Sequence, residues 1–183
     1  MPSPENPDID KYAILLRPME GNPEPYLNAQ GRPKMIGMVG TNRYSDEGLE
    51  TGYCINLKYW GKGYAGEAFA GFLELFWSSE NRKEVKQLNA KLDPGNIASQ
   101  KIIMRVGARK GEGIKDWYSR AIDNGVKRDI ECWYIDRPGV TESELEVWSQ
   151  EVKRQMVRKG ELEKAKEERE RAEKEKSEGK IEG

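Results

Sequence analysis

Six consecutive residues, Trp60-Gly61-Lys62-Gly63-Tyr64-Ala65, limit what this chain can fold into more than any other stretch. Upstream, the apolar residues come in short strand-length runs. Downstream, Ala65, Ala68, Phe69, Phe72, Leu73, Phe76 and Trp77 recur at spacings of three and four, the period of an amphipathic helix that should end near Ser79 or Glu80. A strand that passes through a glycine turn into a helix leaves the first N–H groups of that helix unpaired and the positive end of its dipole exposed. Glycines just before it let an anion reach those groups with no Cβ in the way. A Gly-x-Gly turn can equally be only a turn, so the flanking pattern decides. A P-loop is excluded because the Gly-Lys-Ser/Thr ending is missing, and a dinucleotide-binding turn fits poorly without its third glycine.

The flanking pattern is a mixed α/β one. Residues 12–16 form an apolar run of strand length, and the Pro/Gly/Asn-rich residues 18–33 read as a long exposed connection. Residues 35–40 and 49–57 read as two antiparallel strands joined by the polar stretch 42–48. After the glycine turn and its helix, Leu88, Ala90 and Leu92 alternate with polar residues as a half-buried strand. Asp93-Pro94-Gly95-Asn96 then turns the chain and offers Asn96 as N-cap of a helix carrying Ala98, Ile102 and Val106 and stopping at Gly107. Residues 108–113 read as a short strand and 114–122 as a short helix, since Ile114, Trp117, Tyr118, Ala121 and Ile122 repeat at helical spacing. Residues 127–135 are apolar on much of both faces, which places that strand inside the sheet.

Composition narrows the chemistry. The 183 residues suit one domain with an appendage, and 34% of them are charged, so part of the chain must be solvated. The solvated part is the C-terminus. Thr141-Glu142-Ser143-Glu144 is a capping box followed by the stripe Leu145, Trp148, Val152 and Met156, and beyond Lys159 the stripe thins into alternating Glu, Lys and Arg. The expected organisation is an irregular arm over 1–11, a catalytic-type domain over 12–140 and a charged helix or tail over 141–183. That tail is the surface left for a protein partner or self-association. A net charge of −1 offers no footprint for nucleic acid or an anionic membrane. With no histidine, Ser-His and Cys-His nucleophile systems and His-bearing zinc sites are ruled out, and Cys54 and Cys132 alone make no metal cluster, so no metal is expected. The chain carries no apolar run of membrane-spanning length and no signal-like start, so a soluble cytoplasmic protein is expected.

Three blocks in order carry a family resemblance: Glu50-Thr51-Gly52-Tyr53, then Trp60-Gly61-Lys62-Gly63-Tyr64-Ala65-Gly66-Glu67-Ala68, then Asn96-Ile97-Ala98-Ser99. Over residues 35–137 the chain resembles the Gcn5-related N-acetyltransferase superfamily, in particular its RimJ/RimL-like branch. The resemblance implies a mixed α/β fold: a central, mostly antiparallel twisted sheet with helices on both faces, the acyl-CoA N-acyltransferase fold, here with a long charged C-terminal helix. It implies acetyl-CoA as cosubstrate and a primary amine, a protein N-terminus or a small amine, as acceptor. Trp60, Gly61, Lys62, Gly63, Tyr64 and Ala65 would cradle the CoA diphosphate. Cys54, Ile55, Asn56 and Leu57 would offer backbone groups to the pantetheine and the acyl carbonyl, and Asn96 would contact the pantetheine.

By the same resemblance the amine attacks the thioester directly, with Glu50 as base and Ser99 facing the departing sulfur. Two departures stand against a complete enzyme. The position where many members carry a protonating tyrosine holds Ile103, so Ser99, Tyr118, Tyr134 or water must serve, or the step goes unassisted. Only one strand precedes Met35, where the family has a strand and two helices walling the acceptor side. Trp117 and Tyr118 either line the open side or pack into the core. The alternatives are a non-catalytic acyl-CoA-binding relative, or an interaction module acting through 141–183.

Overall fold

The computed structural model describes residues 9–18 and 26–178; the reading of 1–11 as an irregular arm falls mostly outside them. Six strands, β1 (Lys11–Leu15), β2 (Met35–Ser45), β3 (Gly48–Ile55), β4 (Gln87–Leu92), β5 (Arg109–Tyr118) and β6 (Arg128–Asp136), form one sheet in the order β1-β2-β3-β4-β6-β5. Every neighbouring pair is antiparallel except β3 and β4, which run parallel because α1 (Tyr64–Ser78) carries the chain over the sheet between them. Between β4 and β5 runs α2 (Ile97–Arg105), and α3 (Glu142–Glu178) follows β6.

Strand alternation assigns the faces. Leu49 and Tyr53 of β3, Leu88, Ala90 and Leu92 of β4, and Trp133 and Ile135 of β6 point to one side, where α1 lays down Phe69, Phe72, Leu73 and Phe76, all buried. Tyr53 packs on Phe69 with ring centroids 5.5 Å apart. Beside α1 lies α2, where Ile102 and the buried Ile103 close the same core; a Cβ on Gly66 would stand 3.9 Å from Ile102 Cγ1. The opposite face carries Gly48, Glu50, Asn89, Lys91, Cys132 and Tyr134, and the first turns of α3 dock there. The capping box forms as read, with Thr141 N–H donating to Glu144 Oε2 at 2.8 Å, and Trp148 sits over Gly48. Gly48 has φ +107, and a Cβ on it would lie 2.8 Å from the Trp148 ring.

Three local readings need correction. The polar residues 42–45 belong to β2, so the hairpin turns at Asp46 and Glu47 alone. Leu57 is not in β3; it opens a one-turn 3-10 helix, Leu57–Tyr59, whose N-cap Asn56 accepts from Lys58 N–H at 3.1 Å. Residues 114–118 are strand, not helix. β5 runs the length of β6, and two register shifts, with Asp116 at φ 51, let an apolar spacing that mimics a helix follow a strand. The strand expected over residues 127–135 is β6, one residue displaced, and it is interior, paired to β4 on one edge and β5 on the other. Among the described residues, no helix stands between β1 and β2, and none is long and apolar enough to cross a membrane.

Candidate active site

The parallel contact of β3 with β4 is brief. Leu49 pairs with Leu88 and Glu50 with Asn89, after which the strands part. From Thr51 onward the β4-facing edge of β3 has no strand partner, although β2 still holds its other edge as far as Ile55. Peptide groups along that open edge are offered to whatever enters the fork.

At the far end of the fork stands the N-terminus of α1. Gly61 and Gly63 are left-handed, with φ +74 and +84, and a Cβ at either would meet nothing within 4 Å, so conformation and not packing demands glycine there. Gly63 is the N-cap with no side-chain cap hydrogen bond, and the first intrahelical bond runs from Glu67 N–H to the Gly63 carbonyl. The N–H groups of Tyr64, Ala65 and Gly66 therefore lack helix acceptors and face outward. A groove of about 770 Å³ joins this terminus to the fork, lined by Cys54, Ile55, Trp60, Gly61, Gly63, Tyr64, Ala65, Asn96 and Ser99 among the residues expected from the sequence. Asn56, Leu57, Lys62 and Glu50 are not in its lining. Trp60 is 65% exposed, its indole N–H donating to the Ile55 carbonyl at 2.7 Å, and Lys62 Nζ lies 5.6 Å over the Tyr59 ring. Sequence reasoning missed Lys101 and Arg105, one turn apart on the exposed side of α2, which put two cations on the groove. Their spacing was the available signal.

A second cavity, a slot of about 370 Å³, opens through the fork and shares Tyr53, Asn96 and Ser99 with the groove. Trp117 and Tyr118 line it, and Trp117 is 45% exposed, so the cavity-lining reading of this pair prevails over core packing. Asn96 serves two ends at once: its Oδ1 caps α2 by accepting from Ser99 N–H at 3.1 Å, and it borders both cavities. Ser99 Oγ accepts from the Tyr53 hydroxyl at 3.0 Å. Burial holds Tyr53 above its ordinary value and outweighs that hydrogen bond. Tyr118 donates to Asp93 Oδ2 at 2.9 Å. Tyr134 lies on the α3-covered face, donating to Glu112 Oε1 at 2.8 Å; it borders neither the groove nor the slot.

Glu50 occupies the apex of the fork within a charge cluster. Lys91 Nζ lies 3.0 Å from Glu50 Oε1 and 3.0 Å from Glu47 Oε2, Arg43 Nε donates to Glu50 Oε2 at 3.2 Å, and Lys91 sits 4.8 Å from the Trp117 ring centroid. Burial would push the Lys91 ammonium down, but its bonds to Glu50 and Glu47 outweigh this and raise it. Burial likewise opposes, and Ser45 and Lys91 prevail in, the lowering of Glu47. Cys132, opposite Lys91 in the neighbouring strand, is pushed up to about 11 by burial and stays a thiol. No group of three metal-ligating side chains gathers among the described residues.

This arrangement, a sheet that forks beside a glycine-led helix N-terminus, defines an acyltransferase-type architecture. The chain belongs to the acetyltransferase (GNAT) domain family, which it matches over residues 7–109, more than half of its length. An uncharacterized N-acetyltransferase, p20, of Bacillus licheniformis is 31% identical over 90 residues, 48% of each chain. An uncharacterized protein of Bacillus subtilis (strain 168), YkkB, is 32% identical over 69 residues, 38% of each. The chain thus spans less than half the length of these relatives. A ribosomal-protein-S5-alanine acetyltransferase from Vibrio fischeri superposes with a TM-score of 0.49 at 20% identity, over 60% of this chain and 58% of that one. The spermidine/spermine N-acetyltransferase SpeG of Vibrio cholerae gives 0.49 at 18% identity, over 61% and 63%.

Proposed function

We propose that this chain transfers an acetyl group from acetyl-CoA to a primary amine by direct attack, using residues 12–140 as the catalytic unit, with residues 142–178 as a docked, then solvated, helix. The observation that carries the reading is the continuous groove from the unpaired α1 N–H groups to the fork, meeting a separate slot at Tyr53 and Ser99. The diphosphate rests on residues 61–66, with Lys101 and Arg105 supplying charge. The pantetheine adds to the open edge of β3, and an N–H of that edge steadies the oxyanion. The amine enters from the slot. Glu50 takes its proton through water, its carboxylate held in place by ion pairs to Arg43 and Lys91. Ser99 faces the departing sulfur.

The test is incubation with acetyl-CoA and a panel of amines, from peptides with free N-termini to polyamines, while free thiol is measured. Amine-dependent thiol release supports the reading, and none with any amine sinks it. Binding is scored separately by thermal shift, since ligand at a hundred times its dissociation constant stabilises by about 2.7 kcal/mol. A second reading, acyl-CoA binding without transfer, draws on the apolar Ile103, 3% exposed, and on the charge-paired Glu50. A shift with no turnover would favour it.

A further inference from the structure

Four tyrosines line the two cavities: Tyr53, Tyr59 and Tyr64 the groove, and Tyr53 and Tyr118 the slot, where Tyr118 ends on the Asp93 carboxylate. Tyr53 ends instead on another hydroxyl, Ser99 Oγ, contacted from 46 residues away in sequence. Its ring is seated on Phe69 and its strand is held by β2, while Ser99 is fixed by Asn96 through its backbone N–H. Because Tyr53 spends its own proton on Ser99 Oγ, the Ser99 proton is left to point elsewhere. Both residues line the groove and the slot, so the pair bridges the two cavities at the point where the sheet opens.

We propose that Tyr53 and Ser99 form a proton relay through the fork, delivering to the leaving sulfur in the groove a proton that the amine releases in the slot; this rests on the acetyl-transfer reading above. As the amine nitrogen bonds to the acetyl carbon and the adduct collapses, the C–S bond breaks and its electron pair stays on sulfur. Ser99 gives its proton to the thiolate and takes that of Tyr53. Tyr53 regains one from slot water, to which Glu50 returns the proton it took from nitrogen. One proton leaves nitrogen and one reaches sulfur, with no further reactant. Ser99 is the residue that meets the sulfur, and Tyr53 positions and refills it. The phenol suits the task because burial keeps it protonated above its ordinary 10.0. The charged groups on the two cavities are Lys91 and Asp93 on the slot side and Lys101 and Arg105 on the groove side.

The experiment uses the full chain, unaltered and as Tyr53→Phe, Ser99→Ala, Ser99→Thr and the Tyr53→Phe/Ser99→Ala double variant. Steady-state thiol release with acetyl-CoA and the best amine of the panel is followed against pH, with CoA binding read by thermal shift. Tyr53→Phe keeps the ring on Phe69, and is expected to lower kcat about 10- to 100-fold with the KM for acetyl-CoA changed less than about twofold, less than the roughly 100- to 10,000-fold of a direct proton donor because Ser99 remains. It should also flatten the alkaline fall of kcat. Ser99→Ala should lose at least as much, Ser99→Thr should recover most of it, and the double variant should be no worse than Ser99→Ala, because the two act as one unit. A folded, CoA-binding Tyr53→Phe protein with unchanged kcat and pH profile, or losses that multiply in the double variant, overturns the relay alone. An unaltered chain that binds CoA and releases no thiol overturns the acetyl-transfer reading and the relay together.

Discussion

At the scale of single residues, the site depends on backbone conformation in one place and on charge compensation in another. Gly63 is left-handed at φ +84 with open space where a Cβ would be. Gly63→Ala should therefore cost about 1 kcal/mol from conformation alone, and the larger Gly63→Asn should cost less, because asparagine tolerates this region. Thermal denaturation of both reads the order, and equal or reversed costs would mean the glycine is not held left-handed. Lys91 neutralises two carboxylates and is 9% exposed, so Lys91→Met should destabilise by about 1–3 kcal/mol by leaving Glu47 with only the Ser45 hydroxyl and Glu50 with only Arg43. The pH dependence has a definite sign. Glu47 is lowered, so its contribution is present above its ordinary 4.5 and is lost as pH falls through the lowered value. Lys91 is raised, so its contribution is present below 10.5 and is lost as pH rises through the raised value. Chemical denaturation across pH should show a plateau between those limits that Lys91→Met lowers as a whole.

At the scale of elements, α3 is two helices in one. Its first turns are tied down by the capping box, by half-buried Trp148 against Gly48 and by Val152, 7% exposed. Trp148→Ala should cost about 2–3 kcal/mol through lost burial, and Thr141→Ala about 1 kcal/mol through the lost cap, both visible as lowered denaturation midpoints. Gly48→Ala should destabilise as well, since its Cβ would run into the same indole from a left-handed backbone. β5 shows the opposite balance of local and distant effects. Ile114, Trp117 and Tyr118 sit at helical spacing, yet the open edge of β6 supplies a ladder of hydrogen bonds that local propensity cannot match. The glycines of β5 fit this outcome: a Cβ on Gly111 would run into the Tyr134 ring.

At the scale of the whole molecule, stability should divide where burial ends. Beyond Gly160 every described α3 side chain is exposed, so a chain ending at residue 159 should melt within about 1 kcal/mol of the full one. A chain ending at residue 140 uncovers the Gly48 face and should melt markedly lower; circular dichroism on the two truncations separates these outcomes. The glycine-led turn, the N-cap at Asn96, the capping box and the amphipathic stripe of α1 were all readable from the chain, because each is settled by residues within one or two turns of one another. With them came the family and the location of the groove. The fork was not readable, because it is set by β3 leaving β4 after Glu50, and the two strands lie more than thirty residues apart. Nor were the partners of Glu50 and Ser99, which arrive from β2, β3 and β4 only once the sheet has closed. The sequence by itself determined that a helix N-terminus with left-handed glycines follows a strand, since φ preferences and helical period are local. Only the tertiary structure decided that the strand's far edge stays open and that Tyr53 meets Ser99 there, since pairing between distant segments is chosen by how the whole sheet buries its apolar face.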